Sequence, residues 1–253
     1  MKSKLTLALA IMLGSAATYA TPPIAGIKNV VLVHGAFADG SGWEPIATML
    51  TRKGYNVAIV QEPETSFADD VKAAKRVIDM QSGPVVLVGH SYGGAIITEA
   101  GNDPKVSALV YVAALQPDTG EVPGALLQKT PAAGKGIKPA GDDGFLYIDP
   151  AQFASDFAAD LPKEKTDFMA RSQVFVAAAA LGTPISNAAW KTKPTWAIVA
   201  TQDRSINPEL ERFMYKRSNS KVTEIKSSHA VYISHPSEVS RVIEEAANTP
   251  AKN

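Results

Sequence analysis

The pattern Gly-x-Ser-x-Gly spans residues 89–93 and places Ser91 between two glycines. The aliphatic run 85–88 precedes it and the apolar stretch 95–97 follows, which is the order strand, turn, helix. In that order the pattern is typical of a nucleophile elbow, a sharp turn that exposes a serine hydroxyl above a sheet. Glycine suits positions 89 and 93 because so tight a turn brings backbone against backbone. These residues predict Ser91 as the nucleophile of an acyl transfer.

A serine hydroxyl is a poor nucleophile at neutral pH, so it needs a base that a third group orients. The chain has four histidines: His34, His90, His229 and His235. His90 lies inside the turn and its ring is expected to point away from the hydroxyl, whereas His34 follows the first predicted strand. His229 lies in a loop just after the last predicted strand and is the preferred base. His235, at the start of the last helix, is the alternative, but its position is typical of a surface or capping residue.

The acid is expected after a strand that lies between the nucleophile and the base in the chain. Asp203 meets this condition, because it follows the aliphatic run 196–200. One alternative is that Asp203 caps a helix beginning near Pro208, although the intervening loop is long for a cap. Asp118 is a second candidate, since it also follows a strand.

Backbone N–H groups must stabilise the oxyanion of the reaction. One is expected from Tyr92, the residue after the nucleophile, and the other from the loop after the first strand. We predict Ala36 for this second donor, with Phe37 as the alternative. Phe37 and His34 are also candidate pocket residues, and His34 has an alternative role in holding the loop by hydrogen bonding. The side chain of Tyr92 is a further candidate for an apolar lining. So are five phenylalanines of the cap, although the ordinary core of the cap is the preferred place for most of them: Phe145, Phe153, Phe157, Phe168 and Phe175.

The elements that must position these residues alternate between strands and helices. Short aliphatic runs predict strands at 30–33, 57–60, 85–88, 109–112, 196–200 and 221–225. Helices are expected between them, the first from a capping box at Ser41 and Glu44, and the alternation indicates a mostly parallel, doubly wound α/β sheet. Residues 116–192 show no strand pattern and are predicted to form a helical cap over the carboxyl ends of the strands, where open sheets of this type bind ligands.

The first twenty residues have the features of a secretory signal peptide. Two lysines precede the apolar run 5–13, which is too short to cross a bilayer, and small residues lead to a cleavage site after Ala20. The expected mature protein, residues 21–253, is a single domain that is periplasmic or secreted, with a formal charge of −2. No cysteine is present, so a disulfide, a cysteine nucleophile and a thiolate metal site are excluded.

The motifs at 34–37, 89–94, 202–206 and 228–229 together resemble the α/β-hydrolase superfamily. More narrowly, the loop at 34–37 with the sequence Gly-Ser-Gly-Trp at 40–43, and Asp203 with Ile206, are similar to a small-capped branch. That branch contains plant methyl esterases, the salicylate-binding esterase and hydroxynitrile lyases. The resemblance implies a triad of Ser91, Asp203 and His229, an oxyanion hole from Ala36 and Tyr92, and neither a metal nor an organic cofactor.

Two departures from the branch bear on the reaction. Its lyases carry lysine directly after the catalytic histidine and threonine in the first loop, where this chain has Ala230 and Gly35. Both favour the leading hypothesis, a hydrolase that cleaves a small carboxylic ester through an acyl-enzyme. The alternatives are a lyase-like or cofactor-free perhydrolase activity, and a binding protein that does not catalyse a reaction. The balanced charge, 25 basic against 25 acidic residues, indicates neither a nucleic-acid partner nor stable membrane association once the leader is removed. The oligomeric state stays open.

Overall fold

A computed structural model describes residues 26–249, so the predicted leader lies outside the described residues. At its centre is a six-stranded sheet in which every pair of neighbouring strands is parallel. The strands of the chain are Asn29–Val33 (β1), Asn56–Ile59 (β2), Val85–Ser91 (β3), Val106–Ala114 (β4), Ile137–Pro139 (β5), Phe145–Ile148 (β6), Val176–Ala177 (β7), Thr195–Ala200 (β8) and Lys221–Ile225 (β9). The order across the central sheet is β2-β1-β3-β4-β8-β9. Each predicted strand is therefore present, with bounds shifted by at most a few residues.

Ten α-helices of residues 26–249 surround this sheet and form the cap. Their bounds are Glu44–Arg52 (α1), Phe67–Asp79 (α2), Gly93–Ala100 (α3), Pro123–Lys129 (α4), Pro150–Phe157 (α5), Lys163–Ser172 (α6), Ala178–Leu181 (α7), Pro208–Arg217 (α8), Val231–Ser234 (α9) and Pro236–Asn248 (α10). The predicted capping box at Ser41 is wrong, because a 3₁₀ turn at Gly40–Trp43, capped by Asp39, precedes α1. None of the helices within residues 26–249 is long and apolar enough to cross a membrane.

The sheet is buried on both faces, which is why its strands are aliphatic throughout rather than alternating. Successive side chains of a strand point to opposite faces. Val31 and Leu87 pack with α2, α3 and α8 on one face, whereas Val30 and Val86 pack with α1 and α10 on the other. Burial of both faces fixes the register of the strands, and so fixes which loops meet at their carboxyl ends.

The segment predicted as a helical cap contains α4–α7 but also a second, three-stranded antiparallel sheet, β5-β6-β7. The prediction that residues 116–192 hold no strand is therefore wrong. These strands have two to four residues each, which is too short for a recognisable alternation. The three strands pair with one another across the cap, so their stability depends on tertiary contacts. Such contacts cannot be predicted from the local pattern of apolar residues.

Candidate active site

Ser91 lies at the point where β3 ends and α3 is about to begin. Its backbone φ is 53°, in the left-handed region that residues with a side chain rarely adopt. The turn is possible because its glycines lie against backbone. A Cβ on Gly89 would lie 2.5 Å from the carbonyl oxygen of Gly93, and one on Gly93 would lie 2.3 Å from that of His34. Strain of this kind is typical of functional sites, and here it presents the serine hydroxyl at the carboxyl end of the sheet.

The structure brings the predicted serine, base and acid together although they are far apart in the chain. The Oγ of Ser91 lies 2.8 Å from Nε2 of His229, and Nδ1 of the same ring lies 2.5 Å from Oδ2 of Asp203. Asp203 follows β8 and His229 follows β9, and both are buried. With Nδ1 donating to the carboxylate, Nε2 is free to accept the hydroxyl proton of Ser91.

The other oxygen of Asp203 is also fully used. Oδ1 accepts the backbone N–H groups of Ser205 at 2.7 Å and Ile206 at 2.9 Å. The alternative role for Asp203, capping the following helix, is filled instead by Asn207, whose side chain accepts the N–H of Glu209. The carboxylate is therefore oriented toward His229 by its own loop.

The remaining candidates lie elsewhere. Asp118 forms an ion pair with Lys191 at 2.5 Å and is partly exposed. His235 contacts the hydroxyl of Ser234 at 2.9 Å. Neither therefore takes the place of Asp203 or His229 beside the serine.

His90 lies behind His229 rather than beside the serine hydroxyl. Its Nε2 donates to the backbone carbonyl of His229 at 3.0 Å, and the two ring centroids are 4.6 Å apart. Burial lowers the pKa of His90 well below its ordinary value, so this ring is neutral. A neutral ring places no positive charge next to His229. Its hydrogen bond to the carbonyl of His229 holds the backbone of that residue in place.

A cavity opens in front of the serine. Ser91, His229, Ala36, Phe37 and Tyr92 all line it. The rest of the lining is largely aliphatic and comes from both the central domain and the cap: Leu115, Leu127, Ile137, Ile148, Phe157, Leu181, Ser205 and Ile206. Ala36 and Tyr92 thus both border the cavity beside Ser91, and their role as oxyanion donors stays a prediction. The amide of Phe37 is less suitable, because it already faces Glu64 Oε2 at 3.4 Å.

Of the residues predicted to form an apolar lining, Phe37 and Tyr92 border the cavity. Of the five cap phenylalanines, only Phe157 borders this cavity. Phe153 is buried in the core, and the rings of Phe168 and Phe175 are exposed. The aliphatic residues that do line the cavity were missed, because nothing in their local sequence separates a lining leucine from a core leucine.

His34 does not line the cavity either, so its prediction as a pocket residue is wrong. Its ring is buried and contacts the carboxylate of Glu62 through Nε2, while Nδ1 donates to the carbonyl of Gly35 at 3.1 Å. Burial alone would lower the pKa of His34, but Glu62 and Glu64 outweigh it and raise the pKa to about 9. Through its contacts with Gly35 and Glu62, His34 stabilises the loop that carries Ala36.

Two further carboxyls extend this contact toward the nucleophile turn. Glu64 is buried, adopts a φ of 55°, and its N–H donates to Oδ1 of Asp70 at 2.8 Å. The other oxygen of Asp70 accepts the hydroxyl of Tyr92 at 2.8 Å. Burial raises the pKa of Glu64 to about 9. One cluster of buried titratable groups thus contacts both loops expected to supply the oxyanion donors.

The chain is similar in sequence and in fold to known hydrolases and esterases. A family model described as "Alpha/beta hydrolase family" matches residues 30–242. A pyrethroid hydrolase from Sphingobium wenxiniae is 27% identical over 89% of this chain and 90% of its own length. Methylesterase 8 of Arabidopsis thaliana is 30% identical over 40% of this chain and 43% of its own. The crystal structure of polyneuridine aldehyde esterase superposes with a TM-score of 0.74 at 21% identity, covering 87% of this chain and 98% of that one. The fold and the resemblance to methyl esterases are confirmed.

Proposed function

Because the chain belongs to the alpha/beta hydrolase family, we propose that it is a serine hydrolase that cleaves a small carboxylic ester through an acyl-enzyme. The observation that supports this most strongly is the continuous hydrogen-bonded path from Asp203 through His229 to Ser91. That path ends at the cavity, so the reacting hydroxyl faces the space where a substrate would lie.

In this proposal the Oγ of Ser91 attacks the ester carbonyl while Nε2 of His229 takes its proton. The negative charge of the tetrahedral intermediate falls on the carbonyl oxygen, and the amides of Ala36 and Tyr92 donate to it. His229 then protonates the leaving alcohol and the acyl-enzyme remains. A water molecule gives a proton to His229 and attacks the acyl group. His229 then passes this proton to the Oγ of Ser91 as the acid leaves, which restores the hydroxyl and the neutral ring.

The lining of the cavity supports an apolar substrate. Aliphatic side chains dominate it, and Ser205 adds a hydroxyl beside the reacting pair. Burying the apolar surface of a substrate against these side chains is favourable, whereas an anionic acyl group would lose its hydration there. The relative whose name specifies pyrethroids is in keeping with a hydrophobic ester. We propose an uncharged, mostly apolar ester as the substrate class.

Hydrolysis of short p-nitrophenyl esters by a Ser91→Ala variant tests the proposal. We expect kcat to fall by about a thousandfold or more, because the nucleophile is lost. Ser240→Ala, which removes a buried hydroxyl from α10, is the matched control and should keep the wild-type rate. Full activity in a folded Ser91→Ala protein would contradict the proposal. Cyanohydrin cleavage or peroxide-dependent bromination in place of ester hydrolysis would instead favour the lyase or perhydrolase alternative.

We also propose that the protein is exported and loses residues 1–20. The basic start, the short apolar run and the small residues before Thr21 support this. Amino-terminal sequencing of the protein from a periplasmic or culture-medium fraction should read from Thr21. Recovery of the uncleaved chain only from the cytoplasm would contradict export.

A further inference from the structure

Glu211 is a buried acid that the proposed reaction does not use. It lies on α8, and its side chain has no exposed surface. Oε2 accepts the backbone N–H of Ala200 at 3.2 Å. Oε1 finds no N–H or hydroxyl donor among residues 26–249. Burial and the neighbouring charge of Asp203, the acid of the proposed triad, raise the pKa of this carboxyl.

Glu211 is also connected to Asp203 through the backbone. Ala200 is the last residue of β8, and its carbonyl accepts the N–H of Asp203 at 3.0 Å. The N–H of Ala200 donates to Glu211. Glu211 therefore holds the strand end from which the acid loop departs, one backbone hydrogen bond away from Asp203.

Two carboxyl groups in contact inside a protein cannot both carry a charge without a large cost, so one of them holds a proton. Asp203 already accepts hydrogen bonds from His229, Ser205 and Ile206, all of which favour its ionised form. Burial, together with the charge of Asp203, raises the pKa of Glu211 well above its ordinary value. The proton accordingly belongs to Glu211, which makes this residue a donor.

We propose that Glu211 is a positioning residue whose protonated carboxyl donates a hydrogen bond to Asp203 and so fixes the acid against His229. The inference rests on the proposed function. By donating to Asp203, this hydrogen bond withdraws part of the negative charge of the carboxylate. The carboxylate then favours the imidazolium form of His229 less strongly.

Two other titratable groups lie near Glu211. Arg212 pairs with Glu209 and Glu224 at the surface, and the hydroxyl of Tyr215 forms a hydrogen bond with the carbonyl of Ala114.

Two substitutions separate donation from simple space filling. In Glu211→Gln the amide NH₂ donates to Asp203 and the amide oxygen accepts from Ala200, so kcat should stay within about threefold of wild type. In Glu211→Met the volume is retained but both bonds are lost, and kcat should fall by about 10- to 100-fold with little change in KM, the range expected for loss of a hydrogen bond to a charged group.

The pH profile of kcat/KM distinguishes the two roles, because a purely structural role of Glu211 would leave this profile unchanged. Without the donor, Asp203 favours protonated His229 more strongly, so the acidic limb of Glu211→Met should shift to higher pH by about half a unit or more. The limb of Glu211→Gln should coincide with that of wild type. Tyr215→Phe is the matched control, because it removes a buried hydrogen bond one turn further along α8. It should lower the melting temperature without moving the limb.

A wild-type kcat and an unmoved limb in folded Glu211→Met would overturn the proposal. So would equal losses in the Gln and Met variants. If the Met variant does not fold, Glu211→Asp replaces it, because the shorter side chain withdraws the carboxyl from Asp203 and should shift the limb in the same direction. The Ser91→Ala variant keeps the two ideas distinct. Activity in that variant would overturn the proposed function, whereas an inactive Ser91→Ala beside a normal Glu211→Met would overturn only the role of Glu211.

Discussion

Gly35 lies so close to Ser91 that a Cβ atom on the glycine would be 2.5 Å from the Cβ of the serine. The same Cβ would lie 2.9 Å from Nδ1 of His90. Real Cβ atoms do not approach this closely, so the loop after β1 rests directly on the nucleophile turn. Two segments more than fifty residues apart in the chain thus set one another's position at the site.

Gly35→Ala should therefore impair catalysis more than folding. The methyl group must displace either the nucleophile or the oxyanion loop, and a shift of about 1 Å at reacting atoms costs on the order of 100-fold in rate. We expect kcat/KM for p-nitrophenyl butyrate to fall by at least that factor. Gly83→Ala is the control, since the nearest atom to its added Cβ is 3.5 Å away. Equal activity in both variants would show that the loop and the turn are not in the contact described.

The buried glutamate beneath the oxyanion loop predicts a pH-dependent stability. The pKa of Glu64 is about 9 in the folded protein against an ordinary value of 4.5. Because folding raises this pKa, protonated Glu64 contributes stability that is fully present below the pKa of the unfolded chain. That stability is lost as the pH rises toward the pKa of the folded protein. Glu64→Gln keeps an acceptor for Phe37 but cannot ionise. Its melting temperature relative to wild type should therefore increase steadily between pH 5 and pH 9.

Thermal unfolding at several pH values measures this difference. Glu164→Gln, on the exposed surface of α6, is the control and should follow the pH dependence of wild type. His34 adds to the wild-type trend in the same direction, because its folded pKa is also raised, to about 9. A constant offset between Glu64→Gln and wild type across the range would mean that Glu64 does not hold a proton in the fold.

The cavity lining predicts that the cap limits the length of the acyl group. Leu181, at the end of α7, borders the cavity together with Ile148 and Ser91. Leu181→Trp should fill part of this space, so we expect kcat/KM for p-nitrophenyl octanoate to fall by about tenfold or more relative to that for the acetate. Met80→Trp, at an exposed position after α2, should leave the ratio unchanged. An unaltered ratio in Leu181→Trp would place the acyl group elsewhere.

The parts that were predictable from the sequence are those with a local signature. A strand buried on both faces is an aliphatic run, and parallel strands bring their carboxyl ends to one edge, so the loops that carry Ser91, Asp203 and His229 had to converge. The glycines at 89 and 93 indicated the tight turn for the same reason that the structure requires them, which is close backbone contact.

The parts that were not predictable depend on contacts between distant segments. The cap strands at Ile137–Pro139 and Val176–Ala177 are three and two residues long and pair only through tertiary packing. His34 was expected near the substrate, but the acids that bury it come from the segment after β2. Glu211 has the sequence position of an ordinary helix residue, and only the fold places it beside Ala200, at the strand end that leads to Asp203.

The most direct test is to locate the acyl group. The wild-type protein would be mixed with p-nitrophenyl butyrate, quenched in acid within the first turnovers, digested and analysed by mass spectrometry. We expect a butyryl adduct on the peptide that contains Ser91, because the acyl group is transferred to the nucleophile before water releases it. Rapid hydrolysis with Ser91 unmodified, or with the adduct on another residue, would contradict the assignment of Ser91 as the nucleophile.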